Sequence, residues 1–194
     1  MSTATLPDTE TVAARAREIL DTWQADPEYA RLEKGCGQYN ENWDDFYGYP
    51  IIPDFDVAQD GPVLFPQMMR CMALKSAVYE MTGDEQAAEL PVPVPIDVLS
   101  HAACAQITVL TRMQQRTGIL FVHATDMEAG HGGGTWDFGD YTHRAYRTAF
   151  GPVDERYWIG SAETERRRKI LDGKYEPIGI SDRGRRSTIA FASA

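Results

Sequence analysis

Between Asp97 and Thr117 apolar residues recur at a helical period for longer than anywhere else in the chain. Leu99, Ala103, Ile107 and Leu110 form one stripe, and Val98, Ala102, Val109 and Met113 widen it until most of the circumference is apolar. Asp97 is placed to cap this helix and Gly118 to stop it. A helix greasy on so many sides cannot stand at a surface, so the rest of the chain has to supply the elements that cover it. Residues 8–24 provide one, with Asp8 or Thr9 as cap and Val12, Ala16, Ile19 and Trp23 as its buried face. Asp26 followed by Pro27 starts a second, running to about Lys34 before Gly35. Pro66 opens a third, where Cys71, Leu74, Val78 and Met81 make the stripe, Met68, Met69 and Met72 thicken it as core filling, and Gly83 ends it. Asp140 caps a short helix to Phe150, and Ser161 caps another, AETERRRKIL, with Gly173 at its end.

Two places read as β-structure. The run Ile119–Ala124, ILFVHA, is apolar and partly β-branched, which fits an interior strand. At the C-terminus KYEPIGI and RRSTIAFA flank the turn-like SDRG, a hairpin pattern whose first strand Pro177 confines to an edge. Pro91–Pro95, PVPVP, predicts an extended stretch. The expected fold is therefore α+β: mainly helical, with a short buried strand near 119–124 and a C-terminal hairpin. Residues 35–62 show no period and carry six aromatics among acidic side chains, which predicts a long loop that wraps a surface. The organisation that follows is a helical or α+β core over 1–160 containing the aromatic loop 35–62, and a basic helix-and-hairpin appendage over 161–194.

Charge and composition narrow the function classes. The chain of 194 residues is 43% hydrophobic and 25% charged, a globular composition. No apolar run approaches the roughly 20 residues a bilayer requires, and the N-terminus lacks the basic and apolar regions of a secretory signal. Cys36, Cys71 and Cys104 are widely spaced without a CxxC, which argues against a disulfide framework or a zinc ribbon. These features make the cytoplasm the expected address, with no membrane partner. Net charge is −10, made of −14 over residues 1–141 and +4 over the remainder. Phosphate affinity comes from clustered cations, so the acidic front disfavours nucleic acid. Arg166, Arg167 and Arg168 concentrate the basic charge, and they fit an acidic protein surface better than a base-stacking platform.

The stretch Ile119–His143 carries the densest chemistry. His123, Asp126, Glu128 and His131 offer two imidazoles and two carboxylates within nine residues, a set suited to zinc, iron or manganese and open to completion by His143. The spacing matches no established metal motif. His131 and the three glycines after it spell HGGG, as in an oxyanion loop, yet no GxSxG nucleophile elbow accompanies them. His101 and Cys104 lie three apart on the long helix, close enough to share a metal, but their alanine neighbours favour packing. Phosphate-loop and dinucleotide fingerprints are absent.

Two functions fit these readings. The first is a small acidic subunit, a binding or structural component of a larger protein assembly. Its interface would use Trp43, Phe46, Tyr47, Tyr49 and Phe55 from the aromatic loop and Arg166, Arg167 and Arg168 from the basic helix. The alternative is a metal-dependent enzyme with a mononuclear non-haem site of His123, Asp126, Glu128, His131 and His143, acting on a small organic substrate.

Overall fold

The computed structural model describes residues 5–43, 57–123 and 136–175, together with Pro177. All regular structure among them is helical. In chain order the helices are α1 Thr9–Gln24, α2 Tyr29–Trp43, α3 Val57–Thr82, α4 Glu85–Ala88, α5 Val94–Ala105, α6 Ile107–Thr117, α7 Tyr141–Phe150 and α8 Ser161–Tyr175. α3 is the axis of the fold, touching α1, α2, α4, α5 and α7. From Leu64 to Val78 nearly every side chain on it is buried, including Met68, Met69 and Met72. A helix apolar on all sides is stable only when ringed in this way. α1 lays Val12, Ala16, Ile19 and Trp23 against this axis, its start fixed by Asp8, whose carboxylate accepts from the amides of Glu10 and Thr11.

The α+β expectation is corrected: no strand occurs among the described residues. Ile119–His123 is irregular chain laid across helices. Phe121 stacks on Trp23, with centroids 4.1 Å apart and planes at 8°, while Ser76 Oγ donates to the Leu120 carbonyl at 2.6 Å. The apolar run is buried by side-chain contact alone, and a strand would need a partner strand for its amides. The expected hairpin also fails at its start, because Lys174 and Tyr175 belong to the last turn of α8, beyond the expected stop at Gly173. The rest of it, apart from Pro177, lies outside the described residues.

Other boundaries moved for tertiary reasons. The expected loop 35–62 is shortened from both ends. α2 runs on to Trp43, and the lack of a Cβ at Gly35 lets it close on Gln106, whose Oε1 would lie 2.8 Å from that atom. α3 starts at Val57 rather than Pro66. Its opening turns are anchored by buried Asp60, which accepts from Arg156 Nε at 2.9 Å and from Tyr157 Oη at 2.6 Å. The PVPVP stretch is not wholly extended, since α5 begins at Val94 with proline in its first turn, where an amide is dispensable. The long helix is two helices meeting at 84° about Gln106. Ile107, expected in the stripe, is consequently 70% exposed. α6 is tied instead to the turn between α1 and α2, with Arg116 on Asp26 at 2.6 and 2.9 Å and Arg112 on Glu28 at 2.9 and 3.0 Å. Among the described residues no single helix is long and apolar enough to cross a membrane.

Candidate functional site

Four pieces of chain bring ionisable groups to one place. α3 contributes Lys75, only 1% exposed despite its charge. The chain leaving α4 contributes Glu89; α4 is a single turn, capped by Asp84 through the amides of Gln86 and Ala87. α5 contributes Asp97 and His101, four apart and therefore neighbours on one helix face. The irregular segment after α6 contributes His123, held in place by the Phe121 stack and the Ser76 hydrogen bond two and three residues earlier.

The contacts run as a chain from the core outward. Lys75 Nζ donates to Glu89 Oε1, and the same oxygen lies 3.3 Å from His123 Nδ1. Lys75 Nζ is 3.5 Å from that nitrogen. The rings of His123 and His101 are 4.9 Å apart, and His101 Nε2 is 3.7 Å from Asp97 Oδ2. An ammonium can only donate and a carboxylate can only accept. Lys75 Nζ has three protons and reaches both Glu89 Oε1 and His123 Nδ1, so Nδ1 is paired in either tautomer, accepting from Lys75 or donating to Glu89. His123 Nε2 is fully buried and has no hydrogen-bond partner among the described residues; with the Nδ1 proton facing Glu89 it is a bare lone pair. A buried polar atom left unmatched costs about 1–3 kcal/mol, so it calls for a physical reason. Nε1 of Trp23 and of Trp136 and Oγ1 of Thr142 are also unmatched, but indole nitrogens carry no available lone pair and none of the three belongs to a cluster of ligating groups.

Asp97, His101 and His123 each present one ligand atom within 4.8 Å of the other two. In a tetrahedral site two nitrogens about 2 Å from the ion are roughly 3.3 Å apart, so side-chain shifts of about an ångström or more would be needed to bring this set onto a single ion. Two imidazoles and a carboxylate suit zinc, iron or manganese. Glu89 behind His123 supplies the outer carboxylate that fixes a ligating imidazole's tautomer, and Lys75 balances its charge. His101 is about half exposed, giving the cluster an open side. Loss of hydration is the main influence on His101 and holds its imidazolium below the usual histidine range, with Asp97 opposing that shift.

Of the residues expected at a metal site, only His123 is in this cluster. Asp126, Glu128 and His131 lie outside the described residues. His143 has a different role: its Nδ1 accepts from the Gly139 amide at 2.9 Å and its ring meets Trp136 and Phe138 edge-on. Cys104 is partly buried, its thiol pushed up by burial, and stands outside the three-residue cluster. Of the expected interface residues, Trp43 ends α2, while Phe46, Tyr47, Tyr49 and Phe55 lie outside the described residues. Arg166 and Arg167 both bond Glu163 of their own helix, and Arg168 follows them on α8. Asp97 was legible only as a cap and His101 only as packing, though their four-residue spacing was a usable signal. Lys75 and Glu89, separated from His123 in sequence, gave none.

The described residues form a helical fold that carries a cluster of one carboxylate and two histidines. Compared with protein-family models, curated proteins and solved structures, the chain matches none of them.

Proposed function

We propose that this chain is a metal-dependent enzyme acting on a small organic substrate, with Asp97, His101 and His123 as the ligands of one divalent transition ion. The observation that carries the reading is that His123, whose buried Nε2 is unpartnered among the described residues, presents a ligand atom within 4.8 Å of those of His101 and Asp97. A bound ion would supply Lewis acidity or an activated water. The chain's own part is to orient His123 through Glu89, to hold Lys75 as the counter-charge, and to leave the His101 side open for substrate. The three free thiols, with Cys36 and Cys71 buried, support a cytoplasmic setting. The other sequence reading, an acidic subunit of an assembly, draws on the charge asymmetry, and native mass tests it separately.

The direct experiment is thermal unfolding of chelator-treated protein against added zinc, manganese or iron(II), with elemental analysis after desalting. Binding at a free ion concentration 100 times the Kd adds about 2.7 kcal/mol. We expect one ion per chain and a raised Tm, both lost in His101→Ala. Unchanged Tm and no retained metal would refute the reading.

A further inference from the structure

Where α5 turns into α6, a cleft of about 550 Å³ opens against α2. Its size falls within the roughly 300–1,000 Å³ of small-molecule sites. Arg31 and Lys34 line it from α2, and Gln106, Thr108 and Arg112 from the corner and α6. Three cations and no carboxylate line this cleft, in a chain whose net charge is −10. Glu28 holds Arg112 at 2.9 and 3.0 Å and lies 3.7 Å from Arg31, so it offsets part of this charge. The bend at Gln106 adds donors, because the amides of Ile107 and Thr108 make no backbone hydrogen bond among the described residues. Those amides also sit at the positive end of the α6 dipole.

We propose that this cleft binds a small oxyanion, a carboxylate or phosphate group on a molecule of metabolite size. A polyanion such as a nucleic acid is disfavoured by the chain's net charge of −10, whereas a small anion meets mainly the local excess of cations. Ala105 lines the cleft and follows His101 by one helical turn, a rise of about 6 Å along α5. None of Asp97, His101 and His123 lines the cleft. Its binding does not depend on an ion at those residues.

The test is calorimetric titration of chelator-treated, full-length protein with inorganic phosphate and, separately, succinate. At least one is expected to bind, and Lys34→Glu to weaken it about tenfold, the scale of reversing one charge that faces an anion. Lys169→Glu makes the same charge change on an exposed position of α8, a helix that does not line the cleft, and is expected to leave affinity within about twofold. Binding of phosphate alone or succinate alone distinguishes the two oxyanion sources and supports the proposal. No binding of either at millimolar concentration overturns it, as do equal losses in the two variants. Tighter binding of a short single-stranded oligonucleotide than of both small anions overturns it in favour of a nucleic-acid surface. Because metal is stripped throughout, none of these results bears on the ligand role of His123.

Discussion

Asp60 and Glu89 are both acidic side chains taken into the core beside a cation, and their surroundings differ in one respect. Asp60 accepts from Arg156 through Nε at 2.9 Å and Nη2 at 3.3 Å and from Tyr157 at 2.6 Å, while the neighbouring Trp158 indole donates to Gln67 at 2.7 Å. Its neighbours' polar groups are matched as well. Glu89 neutralises Lys75 and faces His123, but beyond it the network ends on an imidazole nitrogen that is unmatched among the described residues. A closed network specifies packing and needs nothing further. An open one keeps a lone pair available at a cost, and the economical reason for that cost is a ligand. On the proposed reading, this is the difference between a polar cluster that serves packing and one that serves a ligand.

The largest effect is expected at the charged pair behind the site. Glu89→Ala strands the Lys75 ammonium, 1% exposed, and breaking a buried pair in this way costs about 3–5 kcal/mol, readable by urea unfolding. Asp60→Ala follows. It removes three hydrogen bonds but leaves Arg156 about half exposed, so we expect about 2–3 kcal/mol by the same measurement. If Asp60→Ala were silent, the claim that this cluster is structural would fail.

Acid should act through a different pair. The Arg116 guanidinium holds the buried Asp26 carboxyl below its ordinary range. A depressed folded value means that this contribution is complete above the unfolded value, near 3.8, and is lost as pH falls through the folded one. The urea midpoint should therefore drop below about pH 4, and the part due to this pair should vanish in Asp26→Asn. The smallest effect is expected from His123→Leu. Leucine there removes both the unmatched Nε2 and the Nδ1 contact with Glu89, two effects that oppose each other, so metal-free stability should change by less than about 1 kcal/mol. A loss comparable to that of Asp60→Ala would mean that His123 is a structural member of its network.

How far all this was legible depended on how local the cause was. α1 and α7 could be read because Asp8 and Asp140 cap them with their own side chains and their apolar residues recur within the helix. The break at Gln106 could not, since neither glycine nor proline marks it and the chain is turned there by Arg112 and Arg116 reaching Glu28 and Asp26. ILFVHA was ambiguous in principle, a five- or six-residue apolar run being equally compatible with a strand and with chain draped over helices. His123 stood out because the other donors crowd near it in sequence. Its spatial partners come from α3, the exit of α4, and α5, and nothing local to any of them announces the meeting.

The most direct measurement is anomalous diffraction at the zinc edge from crystals grown with one equivalent of zinc. We expect a single strong peak within bonding distance of Asp97, His101 and His123 Nε2. A peak elsewhere, or His123 Nε2 still unmatched beside an ordered but metal-free cluster, would contradict the assignment.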